Sequence, residues 1–348
     1  SRRSWNFPIP WEGGPWGLPD IVEYQKAGAM ALLKNAARNR RFWLENFYGI
    51  NQRAVDKWAA WPDAWIIPGG QDNDPGITYA VRALTMADVE VHRAEADFTV
   101  GETAFPAGSY VIPMNQPYAS FANTMLEIQE YPDLREYPGG PPLRPYDVTG
   151  HTLGYLLDFD AVAVDGPVDA TLSDPVPVPD FDFRLPERLA GSDAPRVAMY
   201  KSWQEPMPEG WQRWVFDQHE MPYDTLHDAD IRGGALGDYD VLIFQAQSAS
   251  SILRGHDPAR MPAPYAGGLG DEGAAAVHAF VEGGGRVVAI EAATDFVRDL
   301  FGLGITDLTD DLPNTEFYIP GSILRLELDA ASGVAEGMRS ETSAWYWR

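Results

Sequence analysis

From residue 196 to residue 301, short apolar runs alternate with amphipathic ones, and this alternation constrains the fold more than any other feature. Residues 196–200, 239–244 and 286–290 have the length and apolar content of buried strands. Residues 209–219, 271–282 and 293–301 carry helical periodicity, and the glycine run 283–285 stops the second of these helices. Strands and helices of this length in alternation build a doubly wound parallel sheet, so the segment is expected to be α/β and flavodoxin-like.

The flanking regions read differently. Between residues 19 and 58 apolar side chains (Ile21, Met30, Leu33, Ala37, Leu44, Phe47, Val55) recur near helical spacing, with Pro19 and Asp20 suited to a helix N-terminus. Unbroken, this helix would be about 60 Å long, with Gly49 the expected bend, and would connect domains. Residues 65–68 and 89–92 read as strands, 77–86 and 118–128 as helices. Residues 98–100 and 109–112, flanking Gly101 and Gly108, read as a hairpin, together a small α/β domain. Proline and glycine over 132–145 mark a loop, 165–195 is a punctuated extended stretch, and 322–328 alternates as a half-exposed strand. The expected division is a helical connector at 1–62, a small α/β domain at 63–165, a linker at 166–194, the flavodoxin-like domain at 195–305, and a β extension at 306–348.

With 26 Lys and Arg against 51 Asp and Glu, the 348-residue chain carries a net charge of −25, which argues against nucleic acid as a partner. It has no cysteine, which excludes disulfides, thiolate metal sites and a cysteine nucleophile. Nothing approaches the roughly 18 consecutive apolar residues of a membrane span. The first residues lack the pattern of a signal peptide and the last ones read as a strand just begun, so both ends read as cut.

The sequence has no HExxH, GxSxG or Walker A. His92 with Glu95, and His219 far downstream, imitate a zinc carboxypeptidase ligand set, but residues three apart on a strand face opposite sides, so no metal site is expected. Doubly wound sheets bind ligands at the carboxyl ends of their strands, where Gln245 follows one strand and Glu291 and Asp295 follow another. The two carboxylates could act as acid and base, hold a cation, or simply favour the N-terminus of the next helix. His227 and His278 read as structural. Aromatic groups (Trp5, Phe7, Trp11, Trp16; Trp203, Trp211, Trp214; Trp345, Trp347) are possible sugar platforms, although Trp211 and Trp214, three apart on one helix face, read as core.

Several long strings carry a resemblance: LPDIVEYQKAGAMALLKNAARNRRFWLENFY, DVEVHRAEADFTVGETAFPAGSYVIPMNQPYASFANTMLEIQEYPD, RPYDVT, GWQRWVFDQHEMPYDTLHDADIRGG and YAGGLGDEG. Together they resemble a bacterial family of large, exported zinc carboxypeptidase-like metallopeptidases. The resemblance implies that this chain is the region after the peptidase domain and includes a domain similar to class I glutamine amidotransferases. Zinc and its ligands would then belong to an upstream domain, with no cofactor in this segment. Active amidotransferase-like domains place a cysteine on a sharp turn after a strand; the matching stretch, VVAIEAATDF, has Glu291 and Ala292 there. Family members commonly have an aromatic after DVT, where this chain has Gly150 and His151.

The expectation is therefore a non-catalytic scaffold or oligomerisation region of a metallopeptidase, secreted or periplasmic by resemblance alone. Its partners would be the upstream peptidase domain and a second copy. The alternative is a stand-alone protein binding a sugar or peptide in the crevice of the flavodoxin-like domain, and an enzyme using Glu291 and Asp295 ranks last.

Overall fold

The computed structural model describes every residue except 1, 2, 6, 7, 59, 60, 130, 131, 144–150, 182–184, 186–188, 190, 192, 205, 310, 311, 320, 330, 336, 337, 347 and 348. Phe7, Gly150 and Trp347 thus lie outside the described residues. The protein is mixed α/β and divides into two units, Ser1–Phe181 with Tyr318–Arg348, and Asp182–Phe317. Among the described residues no helix is long and apolar enough to cross a membrane.

The first unit begins with two successive helices, α1 (Leu18–Arg38) and α2 (Arg40–Lys57). The Asp20 carboxylate accepts the Gly17 N–H at 2.9 Å, closing the N-terminus. The interruption falls at Asn39, not at the expected Gly49. Asparagine competes for backbone hydrogen bonds and leaves the helical conformation readily. Trp43 Nε1 donates to Asn35 Oδ1 across the break at 3.0 Å. Beyond α2, Trp58 is buried and its Nε1 donates to Ser120 Oγ at 3.1 Å. The helices themselves bury nothing: every residue from 18 to 48 is exposed.

The sheet of this unit is antiparallel throughout. Its central strand β1 (Ala64–Ile67) pairs with β5 (Tyr110–Pro113) on one side and β6 (Val162–Val164) on the other, and β2 (His92–Arg93) adds to β5. All four β1 residues are buried because both faces of the strand are covered. Trp65 and Ile67 pack with Val81 and Leu84 of α3 (Asp74–Met86) and with Ala122 and Leu126 of α4 (Ala119–Leu126). Ala64 and Ile66 pack with Phe98, Val100 and Phe105.

Two expectations fail here. The hairpin pairs β3 (Phe98–Val100) with β4 (Thr103–Phe105) around Gly101 at φ +59°, and Tyr110–Pro113 instead enters the main sheet. A two-residue turn closes the nearer pair first, before residue 109 is reached. The strand expected at 89–92 is reduced to His92–Arg93, because the buried Gln116 side chain takes over the backbone of Glu90, accepting its N–H at 2.7 Å and donating to its carbonyl at 3.0 Å. A short helix α5 (Leu153–Leu156) and a hairpin of Ser322–Glu327 and Glu341–Tyr346 complete the unit.

The second unit holds the parallel sheet. Its strands are β7 (Val197–Tyr200), β8 (Asp224–Leu226), β9 (Val241–Phe244) and β10 (Arg286–Ala289), in the order β10-β9-β7-β8. The helices between and after them include α6 (Met207–Gln218), α7 (Asp228–Arg232), α8 (Ala249–Arg254), α9 (Gly270–Glu282) and, after the last strand, α10 (Ala293–Phe301). Tyr200, Leu242 and Phe244 point to one face, against Ile231, Ile252, Val277 and Phe296. Of the readings for this region, the three expected strands and three expected helices all appear within one or two residues, and β8, α7 and α8 are additions.

Candidate functional site

The chain leaves β7 toward β8 on one side and later returns to place β9 on the other, so the carboxyl ends of β7 and β9 form the switch point of the sheet. Ser202, Trp203 and Gln204 follow β7; Gln245 and Gln247 follow β9; His227 follows β8. The Trp203 indole stacks on the His227 ring at 3.9 Å between centroids and 3° between planes, and Tyr265 meets it edge-on at 4.7 Å. His256 Nε2 donates to the Trp203 carbonyl at 2.9 Å. His227 Nδ1 lies 2.6 Å from the Lys201 carbonyl, which can only accept, so Nδ1 carries the proton. In the neutral ring Nε2 is then the lone-pair nitrogen, and it makes no hydrogen bond among the described residues.

Beneath this cluster the Tyr200 hydroxyl donates to Asp228 Oδ1 at 2.6 Å, both side chains being buried. Burial raises the Asp228 carboxyl above the ordinary carboxylate range, opposed by the Tyr200 hydroxyl and by Arg232. Burial and the Asp228 charge likewise raise the Tyr200 hydroxyl.

The glutamines of the edge are engaged with one another and with backbone. Gln245, buried, donates to Gln212 of α6; Gln247 Nε2 donates to the Gln204 carbonyl at 3.2 Å; Gln204 Nε2 donates to the Gly255 carbonyl at 2.9 Å.

The expected trio separates into different settings. Gln245 and Glu291 follow neighbouring strands whose register aligns Phe244 with Ala289. Glu291 is exposed and sits at φ +53°, a left-handed conformation that costs a non-glycine residue on the order of 1 kcal/mol or more. Its carbonyl accepts from Thr294 N at 2.9 Å and Thr294 Oγ1 at 2.6 Å, which fixes the sharp turn from β10 into α10. Asp295, one turn further, is exposed and pairs with Arg298 at 2.8 Å.

Among the described residues no group of three His, Asp or Glu side chains is placed to hold a metal ion. His92 Nδ1 lies 2.9 Å from the Ser173 carbonyl in the first unit, while His219 belongs to the second. His278 stacks on Phe301 at 5.2 Å and pairs with Glu282 at 3.5 Å.

Trp211 and Trp214 are not core. They are 66% and 50% exposed and touch each other edge-to-face at 6.0 Å. The inner face of α6 is polar instead: Glu209, 1% exposed, accepts from Arg213 Nε at 2.6 Å, and Gln212 meets Gln245. Spacing put the two indoles on one face, and which face turned inward was decided by the Gln245 and Glu209 contacts. Of the N-terminal aromatics, Trp16 contacts Trp11 at 5.7 Å and Tyr24 at 5.2 Å, while Trp5 is 94% exposed.

A cavity of about 930 Å³ lies at the opposite, amino ends of the strands, lined by Arg196, Tyr239, Asp240, Phe280, Gly284 and Arg286. Asp240 accepts from the Arg196 backbone N–H at 2.8 Å and from its guanidinium at 3.2 Å, which holds the carboxyl below its ordinary range. A lowered carboxyl contributes stability above the unfolded value and loses it as pH falls through the folded one.

Ser202 and Gln247 are site residues that sequence reasoning did not name, Trp203 was read only as one of the aromatic groups, and His227 was read as structural. The available signal was their position directly after apolar strands, and for His227 the short strand Asp224–Leu226 was not recognised. No family model matches the chain, and no curated protein or solved structure matches it either.

Proposed function

We propose that this chain is a non-catalytic accessory region of a zinc carboxypeptidase-like metallopeptidase, secreted or periplasmic, whose second unit is a flavodoxin-like, amidotransferase-like domain without a nucleophile. The observation that carries the reading is the turn after β10. It is a sharp strand-to-helix elbow with a left-handed central residue, the geometry that exposes a nucleophile in catalytic sheets, and it bears Glu291 where the resemblance places a cysteine. The Glu291 side chain there is exposed, and the chain has no cysteine that could serve as the thiol nucleophile of such an elbow. The strand order β8-β7-β9-β10, second-first-third-fourth within the unit, is that of flavodoxin-like sheets and supports the same reading. Zinc and peptide hydrolysis are assigned to an upstream domain.

The purified chain is expected to bind no stoichiometric zinc and to hydrolyse neither peptides nor glutamine. One zinc per chain accompanied by carboxypeptidase activity would overturn the reading. The elbow itself is checked by stability. Glu291→Gly is expected to unfold at higher denaturant than Glu291→Val, by about 2 kcal/mol, because a β-branched residue is disfavoured at positive φ. Equal stabilities would remove the elbow.

A second reading, a small-ligand protein using the carboxyl edge, is favoured by the open His227 Nε2 beside Trp203. A thermal shift with a sugar or peptide that is lost on His227→Ala would support it. A flat panel would count against it.

A further inference from the structure

We infer that α1 and α2 form a surface on which two copies of this chain associate, each copy's helical arm lying against the acidic remainder of the other. This association is independent of the reading of the second unit given above. The first observation is exposure. Isolated helices of this length draw most of their stability from packing an apolar face, yet α1 and α2 contain no buried residue. Leu18, Leu32 and Leu33 on α1, and Trp43, Leu44 and Phe47 on α2, recur at helical spacing and are 43–72% exposed. Side chains of this kind expose on the order of 100 Å² each. The face therefore amounts to several hundred Å² per copy, a size that marks interaction sites rather than ordinary surface.

The second observation is charge. Residues 1–57 contain nine Lys and Arg against five Asp and Glu, a net charge of +4, so the remaining residues carry −29. Arg38 and Arg40 flank the Asn39 break, and neither has an ion pair among the described residues. Two copies of a chain this acidic repel unless surfaces of opposite sign meet, and the arm is the basic, apolar part of the molecule. Arm against arm would set guanidinium groups together, whereas arm against remainder sets them on carboxylates and, by two-fold symmetry, does so twice. An anionic bilayer would also attract a basic amphipathic helix, but it would repel the −29 that must follow the arm.

The test is the mass of the whole chain in solution, by sedimentation equilibrium at micromolar concentration. The wild type is expected at twice 38.5 kDa. Leu33→Asp with Phe47→Asp, at positions that bury nothing, is expected to give the monomer with an unchanged thermal unfolding of the remaining structure. Arg38→Glu with Arg40→Glu is expected to weaken the dimer by roughly tenfold in Kd or more, and added salt should weaken the wild type more than this variant. A wild type that stays monomeric at tens of micromolar overturns the inference, as does a dimer that neither pair of substitutions affects. A monomer that sediments with phosphatidylserine vesicles, and is released by Leu33→Asp with Phe47→Asp, assigns the arm to a membrane surface instead and equally overturns it.

Discussion

Gly255→Ala is expected to destabilise the second unit by about 3–5 kcal/mol, the largest effect of any single substitution proposed for this protein. Gly255 ends α8 at φ 56° and ψ −147°, a conformation that side chains rarely adopt. A Cβ built there overlaps the Gly267 carbonyl and lies 2.8 Å from Gly268 N, so the obstacle is backbone and cannot swing aside. The close approach has a structural purpose. The His256 carbonyl accepts from Gly267 N at 2.8 Å and the Ile252 carbonyl from Leu269 N at 2.9 Å, joining the end of α8 to the segment that leads into α9. The Gly255 carbonyl also receives Gln204 Nε2, so the same displacement reaches the carboxyl edge of the sheet. Urea unfolding followed by tryptophan fluorescence measures the loss. Gly304→Ala is the control, since a Cβ there meets nothing within 4 Å, and it is expected to change stability by about 0.5 kcal/mol or less. Two variants of equal stability would refute the close packing of these backbones.

The second large effect is expected for Tyr200→Phe, about 2–3 kcal/mol at neutral pH. The substitution keeps the ring, which packs on Phe244 at 5.1 Å, and removes the hydroxyl that donates to Asp228 at 2.6 Å. A buried carboxylate then loses its donor. Asp228→Asn keeps an acceptor for the hydroxyl and removes the charge, so it is expected to be close to wild type.

The pH dependence separates the two variants. Burial raises the folded-state pKa of Asp228 above its unfolded value. Its contribution is therefore full below the unfolded value and is lost as pH rises through the folded one. The tyrosine hydroxyl opposes that rise, so Tyr200→Phe shifts the loss to higher pH and deepens it. Denaturation at about pH 4 and about pH 8 should show a smaller deficit for Tyr200→Phe at the acid end, where more of the carboxyl is protonated. Asp228→Asn should show less pH dependence than wild type. A deficit for Tyr200→Phe that is the same at both ends would place its cause in packing rather than in the buried charge.

Much of the second unit was legible in the sequence. Runs such as YDVLIF and RVVAI are short and apolar, and in a parallel sheet with helices on a face such runs have little alternative to becoming buried strands. Helices beginning near Asp271 and Ala293 were legible from period and from the glycines that stop them. The antiparallel partner of Ala64–Ile67 was not, because two candidate strands lay on either side of Gly108 and local turn chemistry governed which became a hairpin. Gln245 was foreseen at the carboxyl edge, since a residue after a buried strand has nowhere else to be. His227 was read as structural because the strand before it, Asp224–Leu226, is three residues long and barely apolar and was not recognised.

By itself, then, the sequence determined the alternation of strands and helices in the second unit, the acidic balance and the absence of thiol chemistry. These follow from local properties: periodicity, charge and backbone freedom act over a few residues. Only the tertiary structure decided that the order of the parallel strands puts the ends of β7 and β9 side by side, that Trp203 lies flat on His227, and that Glu291 takes a left-handed turn. It also decided that Trp211 and Trp214 face outward, and that an amphipathic helix pair, whose spacing promised a buried face, leaves that face in solvent. The physical reason is the same in each case. An apolar stripe states that a face needs a partner, but which surface meets it depends on contacts between residues far apart in the chain, and no local pattern encodes those.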